Sequence, residues 1–177
     1  PLDNQASVVV GYSEGVKLLL VSKGNYFLRK AFLAMPGNAV TELTPEKFLE
    51  AWKAAGPRAV KEYDVVVFEG TAPPGWEDGG AIFLDVLPPL PGFKEPKDAK
   101  PREYPLIVDW DNRHPVMRYV TFANVRVARV EPWEFPKTAT TLVEGFGGPL
   151  IVAYETDRVH AVSVAFDLFQ SDWAYRS

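Results

Sequence analysis

The chain has 177 residues, a formal net charge of -4 and no cysteine. This length suits one domain that buries its core without cross-links, and the lack of cysteine excludes disulfides, thiolate metal sites and a cysteine nucleophile. Scattered basic residues and a negative net charge argue against nucleic-acid binding, and no apolar run approaches the ~20 residues that cross a bilayer.

The two ends of the chain predict a fragment of a longer polypeptide. The sequence starts at Pro1 with no methionine and no signal-like segment. We expect residues 1–15, with a short strand at 7–10, to be a junction from a preceding domain. Residues 16–177 then form the domain proper. Ser171 or Asp172 is suited to cap a helix, so we expect a truncated C-terminal helix to begin there.

The first half alternates between apolar runs and amphipathic segments. Leu28, Phe32 and Met35 share one face of a helix, and Thr44 followed by Pro45 is a typical helix start. Strand, helix, strand, helix, strand with short connections predicts a doubly wound, three-layer α/β sheet. The predicted elements are a strand at 16–21, a helix at 26–35, a strand at 39–43, a helix from 45 to 56 and a strand at 63–69.

The apolar run at 79–85 predicts a central parallel strand. In an open α/β sheet, chemistry takes place at the carboxyl ends of such strands. Asp85 occupies this end, with Pro88 and Pro89 just behind it. Prolines have no backbone N–H to offer to an oxyanion, so the turn is poorly equipped for acyl transfer.

The second half is predicted to be rich in strands. A surface loop at 88–105 contains six prolines, and the segment from Trp133 to Pro136 is expected to pack against this loop or against a neighbouring domain. Apolar runs then indicate strands that are antiparallel in part, at 106–110, 120–130, 138–143, 150–154 and 160–166.

Four stretches together resemble a known family. They are residues 18–28, residues 63–70 with Pro73 and Pro74 behind them, residues 114–120, and residues 148–150 with 164–173. In these stretches the chain is similar to the class I glutamine amidotransferase-like domain of bacterial membrane proteins of the BatA (aerotolerance operon) type. Those proteins also carry a von Willebrand factor A domain.

The resemblance implies a flavodoxin-like or amidotransferase-like sheet with additional antiparallel strands in the C-terminal half. It also implies a parent protein anchored in the membrane, with this domain soluble and extracytoplasmic. The other domains of the same polypeptide would be partners, and a MoxR-type ATPase system would act in trans. The Cys-His-Glu triad of amidotransferases has no match here. We therefore expect a non-catalytic structural or protein-interaction module with no cofactor and no metal.

The competing hypothesis is a small-ligand binder or hydrolase that uses the strand ends. Ser22 and Asn25 lie in a turn between a strand and a helix, where backbone N–H groups often hold anions. Glu69 and Asp85 end neighbouring strands and could act as a general acid and base. The plainer interpretation is that all four residues, Ser22, Asn25, Glu69 and Asp85, cap turns.

Three further patterns have both a functional and a structural interpretation. Asp109, Asp111 and His114 have metal-binding side chains, but a turn rich in aspartate and asparagine explains them equally well. The candidate nucleophiles Ser13, Ser22, Ser163 and Ser171, with His114 and His160 as bases, lie in no known nucleophile motif. Trp110 and Trp133 would have to be exposed to form a carbohydrate platform, and aromatics in strand-rich regions usually belong to the core.

Overall fold

A computed structural model describes residues 15–172. The helices are α1 (Tyr26–Leu33) and α2 (Pro45–Ala55), with short 3-10 helices at Gly56–Val60, Pro115–Met117 and Leu168–Gln170. The strands are β1 (Lys17–Val21), β2 (Ala39–Leu43), β3 (Val65–Glu69), β4 (Gly79–Leu84), β5 (Arg102–Glu103), β6 (Ile107–Trp110), β7 (Arg129–Val130), β8 (Thr140–Gly145), β9 (Gly148–Glu155) and β10 (Val159–Val164).

Eight of these strands form one mixed sheet in the order β2-β1-β3-β4-β10-β9-β8-β6. The first five in that order are parallel to one another, and the remaining pairs are antiparallel. The predicted α/β class, with antiparallel strands in the C-terminal half, is confirmed. β4 lies between two parallel neighbours, β3 and β10, so the prediction of a central parallel strand at 79–85 is also confirmed.

Each face of the sheet carries its own hydrophobic core, because side chains alternate along the strands. Leu20 and Val67 point to the face covered by α1 and by residues 117–130. Val66 and Phe68 point to the opposite face, covered by α2 and the proline-rich loop. This second core contains a cluster of aromatic rings, in which Phe68 and Phe83 stack at 5.2 Å between ring centroids.

The predicted strand at 120–130 is wrong over most of its length. Only Arg129 and Val130 form a strand, and Val127 adds a single bridge to Ser171. Val125 and Val127 are buried against the α1-side core, as their alternation suggested. Asn124 has φ 60, however, and the Val125 N–H bonds Phe122 O within a turn, so the backbone cannot continue a ladder.

One smaller prediction also differs from the structure. α1 ends at Leu33, so Met35 lies beyond the helix and is 51% exposed. Ser171 is extended and forms a bridge with Val127. The predicted C-terminal helix and the predicted strand at 7–10 lie outside the described residues.

The segment from Trp133 to Pro136 packs against the proline-rich loop, as predicted. Lys94 and Glu134 exchange two backbone hydrogen bonds, of 3.1 Å and 2.8 Å. The Phe93 and Phe135 rings meet edge to face at 5.7 Å. The loop is thereby fixed over the α2-side core although it has almost no secondary structure. None of the helices within residues 15–172 combines the length and the apolar character needed to cross a membrane.

Candidate functional site

The carboxyl ends of β1, β3 and β4 lie side by side, and they bring the four predicted site residues to one edge of the sheet. Ser22 follows β1, Glu69 ends β3 and Asp85 follows β4. Asn25 opens α1 directly above this edge. The grouping follows from the topology, because parallel strands all end at the same edge.

Ser22 and Asn25 organise the turn between β1 and α1. Both side chains are buried, with 1% and 5% of their surface exposed. The Ser22 hydroxyl accepts hydrogen bonds from the N–H groups of Gly24 and Asn25, each at 3.1 Å. The Asn25 carbonyl oxygen accepts from Leu28 N–H at 3.0 Å and so caps α1.

The amide group of Asn25 also donates to the Glu69 carboxylate. Burial raises the pKa of Glu69, the hydrogen bond from Asn25 opposes that rise, and the charges of Asp167 and Glu42 add to it. Ser22, Asn25 and Glu69 therefore form one hydrogen-bonded chain. These contacts use both polar ends of the Asn25 amide inside the protein.

Asp85 directly follows the central strand β4, at the carboxyl edge where open α/β sheets place their chemistry. Its backbone has φ 50, a left-handed conformation that costs energy for a residue with a side chain. A nucleophile elbow has a similarly sharp turn, but it leads into a helix. After Asp85, Val86 and Leu87 pack against the α2-side core and Pro88 is buried. The next regular element is β5, so no helix N-terminus faces Asp85 from this turn.

The Asp85 carboxyl is surrounded mainly by other acids. Burial is the largest cause that raises its pKa to about 6, and the charges of Asp167, Glu131 and Glu69 raise it further, while Arg129 opposes them. Asp85 is thus largely ionised at pH 7 but takes up a proton in mild acid.

Three of these neighbours, Asp167, Glu131 and Arg129, were not predicted from the sequence. Glu131 lies here because its N–H bonds Ala165 O at 2.7 Å, just beyond the end of β10. Asp167 follows β10 and caps the 3-10 helix at Leu168–Gln170 through Phe169 N–H. An acid after a predicted strand was the available signal for Asp167. The pairing of β10 with β4, which brings it to Asp85, cannot be deduced from either segment alone.

The candidate metal ligands do not converge. Asp111 accepts hydrogen bonds from the backbone and the side chain of Arg113, and Asp109 accepts from Trp110 N–H. His114 accepts from Val116 N–H through Nδ1. These contacts are those of a polar turn, and within residues 15–172 no group of three or more histidine, aspartate or glutamate side chains is arranged to hold a metal.

The candidate serine–histidine pairs are not assembled. Ser163 and His160 are three residues apart on β10, so their side chains leave opposite faces of the sheet. Ser163 is 2% exposed, and its hydroxyl has no hydrogen-bond partner within residues 15–172. The Ser171 hydroxyl donates to Leu168 O at 2.7 Å. Ser13 lies outside the described residues.

The aromatic platform is also absent from the positions proposed for it. Trp110 and Trp133 are half-buried and pack against the α1-side core. Aromatic and apolar side chains are exposed elsewhere, around β6 and the turn between β8 and β9, at Tyr104, Leu106, Val108 and Phe146.

The comparisons with known proteins support the fold. The structure is similar to the cytoplasmic protein STM3548 from Salmonella typhimurium, with a TM-score of 0.56 over 86% of this chain and 87% of that chain, at 13% identity. STM3548 is a class I glutamine amidotransferase-like α/β protein. Identity at this level shows the fold alone. No protein-family profile and no curated protein sequence matches the chain.

Proposed function

We propose that this chain is a non-catalytic amidotransferase-like domain, serving as a structural or protein-interaction module of a membrane-anchored von Willebrand factor A protein. The observation that carries the proposal is the end of β4. The chain turns sharply there, but the turn holds Asp85 and then continues into the partly buried Val86 and Leu87 and the buried Pro88.

The hydrogen bonding of the crevice supports a structural role. Ser22 and Asn25 use their polar atoms to hold the turn and the start of α1, and Asn25 also holds Glu69. A ligand that entered would have to compete with these buried bonds, which costs free energy unless it replaced each of them. The polar groups best placed to bind a ligand therefore act as internal caps.

The membrane-anchored parent is proposed from the sequence resemblance alone. The partners that follow are the neighbouring domains of the same polypeptide and a MoxR-type ATPase system. In this proposal the domain lies outside the cytoplasm.

The second candidate function is an enzyme that uses Asp85 and Glu69 as acid and base. One observation favours it: carboxyls whose pKa is raised by burial and by neighbouring acids are enriched at catalytic sites. Within residues 15–172, neither a histidine nor a nucleophilic serine joins the acids around Asp85, and no helix begins directly after Asp85. The acids are therefore not accompanied by a complete set of reacting groups.

The test of the proposed function is made in the parent gene. Deletion of residues 16–172 is compared with the substitutions Asp85→Asn and Glu69→Gln, and the readout is the protease resistance of the neighbouring domains of the parent chain at matched parent abundance. If the domain is a structural or interaction module, the deletion lowers this resistance and both substitutions retain it. An unchanged resistance after the deletion, or a loss of resistance with either substitution, would contradict the proposal.

A further inference from the structure

β6 lies at the outer edge of the sheet, and apolar side chains are exposed beside it. β6 is the last strand of the sheet, and β8 is its only neighbour within residues 15–172. Leu106 is 75% exposed and Val108 63%. Natural proteins protect such an edge with short strands, charged side chains, proline or bulges, because unpaired backbone groups attract another strand. β6 is short and Asp109 is its only charged residue, so a strand that pairs with it has to complement that charge.

A bulge directs Val108 outward. Ile107 pairs with Gly145 and Asp109 pairs with Glu144, which leaves Val108 as the additional residue between them. Phe146 is 77% exposed, and its N–H bonds Leu106 O at 2.7 Å, so the turn between β8 and β9 extends the same apolar surface.

A groove adjoins this edge. β6 and residues 122–127 diverge and leave a space of about 490 Å³ between them, lined among others by Tyr104, Leu106, Trp110, Val125 and Arg126. Tyr104 has φ 47 and is 77% exposed, so its ring is held at the groove in a backbone conformation that side chains seldom adopt.

Charge decides what kind of segment fits this edge. Asp109 is exposed on β6 and makes no ion pair among the described residues. Glu144 lies beside it on β8. An antiparallel pairing of β6 with a second copy that is centred on Val108 or Asp109 would bring the two Asp109 carboxylates diagonal or opposite to each other, which destabilises a ladder. A basic side chain at that position would be attracted.

We propose that the β6 edge, defined by Leu106, Val108 and Asp109, binds an extended segment of a partner protein, apolar at alternate positions and with a lysine or arginine opposite Asp109. The segment adds a strand to the sheet through backbone hydrogen bonds, and its apolar side chains enter the adjoining groove. This inference rests on the proposed function and names the docking surface that an interaction module needs.

The test uses two fluorescent synthetic peptides, one of alternating valine and lysine and the other of alternating valine and glutamate, with binding followed by anisotropy. The valine–lysine peptide should bind the wild-type domain roughly tenfold more tightly, about 1.4 kcal/mol. Leu106→Asn with Val108→Asn should abolish this binding, and Asp109→Lys should reverse the preference. The matched control is Leu33→Asn with Met35→Asn, which removes two exposed apolar side chains from the end of α1 and should bind as the wild type does.

Equal binding of both peptides, no binding of either, or unchanged binding by the Leu106/Val108 variant would overturn the proposal. The other possible occupant of the edge is a second copy of the chain, and sedimentation tests for it. A wild-type dimer that the Leu106/Val108 variant dissociates would show that the edge pairs with a second copy. Circular dichroism verifies that each variant is folded. None of these outcomes depends on Asp85, so failure here is distinct from failure of the proposed function.

Discussion

At the residue scale, the surroundings of Asp85 raise the pKa of its carboxyl well above the ordinary value. Its folded-state pKa, about 6, lies above the ordinary 3.8, so the folded protein holds the proton more tightly than the unfolded chain does. The stabilising contribution is therefore complete below pH 3.8 and is lost as the pH rises through about 6.

Asp85→Asn should remove this pH dependence. Asparagine also tolerates φ 50, so the turn is preserved. At pH 7 we expect the variant to be more stable than the wild type by roughly 1 kcal/mol, an amount reduced by solvent screening of a half-exposed group. The difference in stability between the variant and the wild type should become smaller toward pH 4. Thermal unfolding across this range measures it, with the exposed Asp109→Asn as control; equal pH profiles for wild type and Asp85→Asn would disprove the prediction.

Ser163 and Ser171 provide a second comparison. Both are buried, but within the described part of the chain only the Ser171 hydroxyl has a hydrogen-bond partner. Ser163→Ala should leave the free energy of unfolding unchanged or raise it, because the hydroxyl it removes is unsatisfied. Ser171→Ala should lower it by about 1 kcal/mol, the usual contribution of one hydrogen bond. Urea denaturation measures both, and a larger loss for Ser163→Ala would show that its hydroxyl has a partner.

At the element scale, the position of α1 depends on one side chain. Asn25 caps the helix and holds Glu69 at the end of β3. Asn25→Ala should destabilise the protein by about 2 kcal/mol, the sum of a lost cap and a buried carboxylate left without its donor. Thr44→Ala removes a longer, exposed cap of 3.4 Å from α2 and should cost about 1 kcal/mol or less. Equal losses in urea denaturation would show that the bond to Glu69 contributes nothing.

The elements also show how far the sequence determines the fold. Continuous apolar runs such as 16–21 and 79–85 predict strands in the middle of a parallel sheet, where both faces of a strand are covered. The 120–130 segment was misassigned because Val125 and Val127 alternate as in a strand, while the positive φ at Asn124 breaks the ladder. Burial was thus predictable there, and backbone pairing was not.

At the scale of the whole molecule, the candidate site was only partly predictable. Ser22, Asn25, Glu69 and Asp85 were grouped correctly, because strand ends in a parallel sheet share one edge. Asp167 was missed because it follows β10, which reaches β4 from the far end of the chain, and Glu131 was missed because its position depends on a backbone bond to Ala165, directly after β10. This long-range pairing makes the crevice strongly acidic.

The whole molecule then combines two edges with different chemistry. At the carboxyl edge, the hydrogen bond from Asn25 to Glu69 ties α1 to the central strands, and the charges of Asp167 and Glu131 oppose the ionisation of Asp85. At the lateral edge, β6 has no outer neighbour within residues 15–172, and apolar side chains are exposed beside it. An enzyme would be expected to concentrate exposed, reactive groups at the carboxyl edge, whereas here the groups best placed for contact lie at the lateral edge.

In the proposed function, the carboxyl-edge crevice does no chemistry. This is tested by measuring the turnover of amide, ester and phosphate-ester substrates by the purified wild-type domain and by Asp85→Asn, from pH 5 to pH 8. No turnover should distinguish the two proteins at any pH. Turnover with a midpoint near pH 6, the region where Asp85 titrates, and lost in Asp85→Asn would contradict it and identify Asp85 as a catalytic residue.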